Sequence, residues 1–227
     1  MLGKISVMEA KINEIFTSIQ GEGPYIGYKQ LFIRFCGCNL NCKYCDTEYI
    51  AGVKYSPDDL YNAVRNDLEY VHSVSLTGGE PLLSYKFLKE FLPKIKDKTK
   101  VYLETNATLT SEFKEIKDYV DIVSADIKLP SATGNDTLNL HEDFLNNCSG
   151  VKTFAKIVFD KNITEDEISF CINVARENNL ELILQPKMNK NIISVSADFC
   201  SEILNKFLSE YANVRLIPQV HKFLNVR

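Results

Sequence analysis

Apolar residues gather in short runs along this chain, separated by amphipathic stretches. Gln30–Phe35, Ser73–Leu76, Val101–Glu104, Ile122–Ala125, Thr153–Phe159, Leu180–Gln185 and Val214–Ile217 are β-rich and almost continuously apolar. Continuous rather than alternating apolar content predicts parallel strands covered on both faces. Helical patterns lie between them. Ser56 and Pro57 predict a capped helix to about Leu68, with proline at its first position. Thr164 and Glu167 form a capping box opening a helix to about Asn178. Tyr85–Lys96, Ser111–Lys117 and Val195–Tyr211 are also amphipathic. Strand–helix alternation predicts an α/β fold with a parallel sheet or barrel. In such a barrel the chemistry belongs on loops at the carboxyl ends of the strands.

No repeat, low-complexity tract or linker interrupts the 227 residues, so one domain is expected over 1–227. A net charge of −4 gives no electrostatic reason for stable nucleic-acid binding. The Lys-rich stretch Lys86–Lys100 is interspersed with acids and reads as a solvated helix face. No apolar run is long enough to span a bilayer and the start carries no secretory pattern, so a cytoplasmic protein is expected.

Cysteine usage changes the picture. Cys36, Cys38, Cys42 and Cys45 fall within ten residues, whereas Cys148, Cys171 and Cys200 are scattered among apolar neighbours and read as small core hydrophobes. In a reducing compartment a tight group is more often metal-binding than disulfide-forming. Cys38, Cys42 and Cys45 have the spacing C-x3-C-x2-C, directly after the first strong strand. Three thiolates on a four-iron cluster leave one iron open, as a catalytic centre requires. The alternative is a structural zinc site with Cys36 as fourth ligand, but the paired knuckles or spaced histidines of such sites are missing.

The cysteine loop, with Tyr44 before its last cysteine, resembles the signature of the radical S-adenosylmethionine (SAM) superfamily. The resemblance implies a [4Fe–4S] cluster on Cys38, Cys42 and Cys45. It also implies SAM chelated at the open iron and a 5′-deoxyadenosyl radical formed on reduction. Tyr44 lies near the adenine or simply packs. Thr77-Gly78-Gly79-Glu80-Pro81 ends the next strand; alone it is a turn, but in this position Gly78, Gly79 and Glu80 match the element that holds the methionine amino group. Glu104-Thr105-Asn106 resembles the ribose-binding position, with Ala107 where relatives often have glycine. Ser124 and Lys128 are candidates for the SAM carboxylate, Asp126 reads as structural, and Gln185 is either a further SAM contact or a satisfied amide. The fold implied is a partial, open TIM-like barrel of about six parallel strands.

A second set of motifs is narrower. Ile19-Gln20-Gly21-Glu22-Gly23, Cys38-Asn39-Leu40, Cys45-Asp46-Thr47 and Pro218-Gln219-Val220-His221-Lys222 resemble the family of 7-carboxy-7-deazaguanine synthases in queuosine precursor biosynthesis. That likeness implies a 6-carboxy-5,6,7,8-tetrahydropterin substrate, Mg2+ at Thr47, and substrate contacts from Gln20, Gly21, Glu22, Gly78 and His221, the last also as a proton-transfer group. Some relatives carry an arginine after the glycine matching Gly27 and use it on the substrate carboxylate; here Tyr28-Lys29 follows, which leaves Lys29 or an arginine elsewhere such as Arg34 to supply that charge. A flavodoxin or ferredoxin donor and a homodimer are implied as well. The nearest rival is an activase making a glycyl radical on a partner protein. His72 and His141 read as surface or packing residues.

Overall fold

The computed structural model describes residues 8–43 and 52–226. The strands are β1 (Ala10–Ile19), β2 (Lys29–Phe35), β3 (Val53–Tyr55), β4 (Ser73–Gly78), β5 (Lys100–Thr105), β6 (Ile122–Ile127), β7 (Lys152–Phe159), β8 (Glu181–Pro186), β9 (Met188–Asn189), β10 (Ile192–Ile193) and β11 (Val214–Leu216). The helices are α1 (Pro57–Val64), α2 (Tyr85–Phe91), α3 (Thr110–Lys114), α4 (Pro130–Thr133), α5 (Leu138–Asn146), α6 (Glu165–Asn178), α7 (Ala197–Leu208) and α8 (Val220–Leu224).

Nine strands form one sheet in the order β11-β8-β7-β6-β5-β4-β2-β1-β3, and β9 and β10 make a separate hairpin. From β11 through β2 every neighbour is parallel, so seven strands run together where about six are implied by the likeness. Beyond β2 the order turns antiparallel through β1 and β3. The edge strands β3 and β11 do not pair, so the barrel is open. A flat sheet would hold β1 and β11 about 34 Å apart at the usual strand spacing. Instead Gln219, just after β11, donates to Glu22, just after β1, at 2.7 Å. The sheet therefore curls until its two sides almost meet.

All seven expected strands are present, but their two faces differ. On β4 the order Ser73-Val74-Ser75-Leu76-Thr77 alternates, and on β7 Ala155, Ile157 and Phe159 point opposite to Phe154, Lys156 and Val158. The outward residues join the main core beneath the helices. The inward ones form a small second core of Tyr25, Tyr102, Ile122, Phe154 and Ile183, with polar side chains above it. The inner surface is thus a site wall standing on an apolar plug.

Local chemistry sets the helix limits. Ser56 Oγ accepts from Asp59 N at 3.1 Å and starts α1, which ends at Val64. The capping box forms: Glu167 N donates to Thr164 Oγ1 at 3.2 Å and Thr164 N to Glu167 Oε2 at 2.9 Å. Pro93 cannot donate in an α-helix, and α2 gives way to a 3-10 turn over Leu92–Lys94. No helix among the described residues is long and apolar enough to cross a membrane.

Candidate active site

The carboxyl ends of the parallel strands open into a cavity of about 800 Å³. Cys38 and Cys42 line one side, and Thr77, Gly78 and Gly79 come from the end of β4. Glu104, Thr105 and Asn106 end β5; Asp126 and Lys128 come from β6, Lys156 from β7 and Gln185 from β8. A recess of about 140 Å³ shares Glu22, Arg34, Thr77, Glu104 and Gln219 with it and adds Gln20, Gly21 and His221. Residues from both ends of the chain therefore meet at one wall.

The glycine-rich loop begins where the end of β4 runs beside the end of β2, with Gly78 opposite Phe35. Gly78 has φ +121°, and a Cβ there would run into the backbone of Phe35. Gly79 N donates to Phe35 O at 3.0 Å and Glu80 N to Gly37 O at 2.8 Å, which ties this loop to the cysteine loop. Glu80 itself turns away from the cavity. It is fully buried and accepts from Leu82 N at 3.0 Å, Thr105 Oγ1 at 2.9 Å and Asn106 N at 2.7 Å. Burial lifts its carboxyl to about 7 against the pull of those donors. Its carboxylate braces two loops and does not line the cavity.

Other expected residues divide in the same way. Ser124 is buried beside the Tyr102 hydroxyl, one layer below the wall, and does not line the cavity. Lys29 stands exposed at the amino end of β2, the far end from the cavity. Arg34 lines both cavity and recess, 3.3 Å from Glu14 Oε2 and with its guanidinium 5.8 Å from the Phe16 ring centre. Gln185 is buried, and its Oε1 has no hydrogen-bond partner among the described residues. A buried orphan acceptor on a cavity wall fits a bound donor better than a satisfied amide. Tyr44, Cys45 and Thr47 lie outside the described residues.

A row of alternating charge crosses the site. Lys156 Nζ pairs closely with Glu22 Oε2 and lies 3.2 Å from Asp126 Oδ1, an ionic contact without hydrogen-bond alignment. Asp126 Oδ2 in turn accepts from Lys128 Nζ at 2.9 Å. Burial alone would raise the Glu22 carboxyl, but Lys156, helped by Gln219, outweighs it and holds Glu22 down at about 2. Burial would likewise lower Lys156, yet Asp126, Glu22 and Glu104 push its pKa well above the usual lysine value. Both groups stay charged at neutral pH.

Gln20 is buried and fully engaged: its Nε2 donates to Gln30 Oε1 and Glu104 Oε1, both at 2.9 Å, and its Oε1 accepts from Glu22 N at 3.0 Å. Glu104 also accepts from Thr77 Oγ1 at 2.7 Å. Gly21 O accepts from Val220 N at 2.9 Å, and a Cβ on Gly21 would stand 2.5 Å from His221. His141 packs, as expected, but as a polar strut: its ring accepts from Lys128 N at 3.0 Å and lies 3.2 Å from Ala107 O. Burial lowers it to about 4, so it is neutral there. His72 packs against Tyr28 with the two rings tilted by 35°, away from the cavity.

Lys156, Asp126, Thr77 and Gln219 line the site, although none stands among the expected contacts. One signal was available for Lys156: a lysine inside Phe154-Ala155-Lys156-Ile157-Val158 is a buried charge and calls for a partner. Its partner, Glu22, is 134 positions away, which no local pattern discloses.

An open parallel barrel with a cysteine loop and a glycine-rich loop at adjacent strand ends defines the radical SAM class, and the model of the Radical SAM superfamily matches residues 32–172. The chain belongs to that superfamily and is an enzyme. The 7-carboxy-7-deazaguanine synthase of Geobacter sulfurreducens is 36% identical over 95% of this chain and 97% of that one. That of Archaeoglobus fulgidus is 36% identical over 97% and 100%. The chain is a member of the 7-carboxy-7-deazaguanine synthase family. Its fold matches the crystal structure of QueE from Escherichia coli with a TM-score of 0.64 at 20% identity, covering 94% of this chain and 95% of that one.

Membership brings a [4Fe–4S] cluster and SAM, and the residues present fit both. Cys38 and Cys42 face the cavity, and Leu40 N already points at Cys38 Sγ from 3.4 Å, as a thiolate ligand requires. Among the described residues no three His, Cys, Asp or Glu are grouped to hold a metal, because the third cysteine of the motif lies outside them.

Proposed function

We propose that this chain converts 6-carboxy-5,6,7,8-tetrahydropterin to 7-carboxy-7-deazaguanine by radical ring contraction with loss of ammonia, as a single catalytic unit over 1–227. The observation that carries this reading is the convergence of Gln20-Gly21-Glu22 with Gln219 and His221 around the recess that adjoins the cavity lined by Cys38 and Cys42. An activase of a protein substrate has no need of such a polar recess beside its cysteine loop, and the matched synthases cover nearly the whole chain.

In this proposal Cys38, Cys42 and Cys45 hold the cluster. When bound and reduced, cluster and SAM supply the chemistry that removes a hydrogen atom from the substrate. The chain's own residues position that chemistry. The backbone of Gly78 and Gly79 approaches the SAM amino group, Gln185 offers its orphan acceptor, and Lys128 meets the SAM carboxylate. Thr105 and Asn106 border the ribose, and Tyr44 borders the adenine. Glu22 and Glu104 present carboxylates to the recess, acceptors suited to the N–H edge of a pterin. Arg34, not Lys29, anchors the substrate carboxylate, because a guanidinium grips a carboxylate with two parallel bonds. His221, beside Gly21, is placed to move a proton. Mg2+ at Thr47, a flavodoxin or ferredoxin donor, a homodimer and a cytoplasmic setting complete the proposal.

The test is anaerobic incubation of the iron-loaded protein with SAM, a reductant and the carboxytetrahydropterin. Mass spectrometry should detect 7-carboxy-7-deazaguanine without any protein substrate. A fully loaded protein that cleaves SAM but makes no deazapurine would overturn the assignment.

A further inference from the structure

A closed ring of side-chain hydrogen bonds lies against Cys38. Asn39 Nδ2 donates to Thr108 Oγ1 at 2.9 Å, Thr108 Oγ1 donates to Asn106 Oδ1 at 2.6 Å, and Asn106 Nδ2 donates to Asn39 Oδ1 at 2.8 Å. The ring could run the other way only with both amides turned over, which would set the Asn106 oxygen, a second acceptor, against the Cys38 sulfur. The Asn106 oxygen is taken by the threonine hydroxyl, so its nitrogen must face outward with a second hydrogen to give. That hydrogen goes to Cys38 Sγ, 3.7 Å away.

Three features hold the ring in place. Asn106 N is fixed on buried Glu80 at 2.7 Å. Ala107 adopts φ +54°, a left-handed conformation that non-glycine residues seldom take, and this turn brings Asn106 and Thr108 onto one side. Ala107 O lies 3.2 Å from His141 Nδ1. A strained residue braced on both sides, with a locked amide as its product, is a device for aiming a donor at sulfur.

We propose that the Asn106 amide, locked by Asn39 and Thr108, donates to the cluster-bound sulfur of Cys38 and raises the reduction potential of the cluster. This rests on the reading that Cys38 is a cluster ligand. Reduction adds one electron, delivered by an external low-potential one-electron donor, and puts more negative charge on the sulfurs. An N–H aimed at sulfur therefore stabilises the reduced form more than the oxidised one. No bond is made or broken, and no proton moves. Asn106 is a positioning and tuning residue in this role, separate from any contact it makes with ribose.

The experiment is an anaerobic redox titration of the reconstituted protein against dithionite, without SAM or pterin. Asn106→Leu removes the donor; Thr108→Val keeps Asn106 but opens the ring. At a fixed poise the ratio of reduced to oxidised cluster should fall about twofold to tenfold in Asn106→Leu, the range of one net hydrogen bond, and by less in Thr108→Val. Pulsed EPR of the reduced cluster should also lose an exchangeable proton coupling in Asn106→Leu. Wild-type potentials in both loaded variants, or shifts upward, sink the inference. Should Asn106→Leu fail to take up iron, Thr108→Val decides alone, and a wild-type titration there overturns the proposal. Cys38→Ala separates the two readings. A cluster retained in that variant removes the ligand assignment, whereas a cluster lost there yet indifferent to Asn106→Leu removes only the tuning role.

Discussion

Lys156 is a buried charge within an otherwise apolar stretch of strand. It sits on β7 between apolar residues that face the main core, yet its ammonium meets Glu22 and Asp126 on the inner face. Removing one partner from a buried pair leaves uncompensated charge, so Lys156→Met should destabilise the protein by about 3–5 kcal/mol. Urea unfolding measures this, and a loss under about 1 kcal/mol would show that the row contributes little. The pH dependence has a definite sign. Glu22 is held at about 2, below its ordinary 4.5, so its contribution is complete above about 4.5 and is lost as pH falls towards about 2. Without Lys156, burial would hold the Glu22 carboxyl above its ordinary 4.5, so the stability gap between wild type and Lys156→Met should narrow steadily as pH falls from neutrality towards about 2. A gap that widens on acidification contradicts the pairing.

At the scale of elements, α8 shows how a short segment completes a site. Five residues have little helical stability of their own, so α8 is held by Val220 N on Gly21 O and by Gln219 on Glu22. A methyl on Gly21 would stand 2.5 Å from the His221 side chain and 2.6 Å from its backbone N, so the helix must move. Gly21→Ala should lower kcat/KM for the pterin on the order of 100-fold, the usual effect of a small misplacement, with iron content and SAM binding unchanged. Equal losses in SAM binding would place α8 elsewhere in the mechanism. Gly78→Ala should behave differently, since φ +121° and the Phe35 backbone both exclude a side chain; loss of iron loading is expected, measured as iron per chain after reconstitution. The seven parallel strands were legible because each carries an unbroken apolar outer face. β1 was not, because its alternation serves an antiparallel edge whose partner, β2, is set by tertiary pairing such as Phe16 on Phe32, stacked at 5.1 Å. α5 carries no capping side chain and buries His141 beside Phe144 and Leu145, so neither its start nor its polar strut shows in the pattern. The site followed the same rule. Residues within local motifs were found, whereas Ser124 and Glu80 lie in the right motifs but are buried away from the cavity surface, which spacing alone does not reveal.

The whole molecule carries a net charge of −4, yet the described residues that line its main cavity include eight cationic side chains and four carboxylates. All four carboxylates are partnered: Glu22 and Asp126 by Lys156 and Lys128, Asp160 by Lys187 at 3.5 Å, and Glu104 by hydrogen bonds. Lys43, Lys161 and Lys190 add positive charge, and among the described residues no carboxylate of the cavity wall is set against them. The surface as a whole therefore repels anions while the mouth attracts them, and curved low-dielectric walls focus such a field. The proposed substrate, a carboxylated pterin, would be drawn by this arrangement, and salt screens the attraction over roughly 8–10 Å at ordinary ionic strength. Raising salt should lower kcat/KM for the pterin while leaving kcat nearly constant, because steering acts on encounter and not on the bound complex. Replacing Lys161 and Lys190 together with glutamine should flatten that salt dependence without altering iron content. A salt profile that is flat in wild type, or unchanged in the double variant, would show that the segregated charge does not guide the substrate.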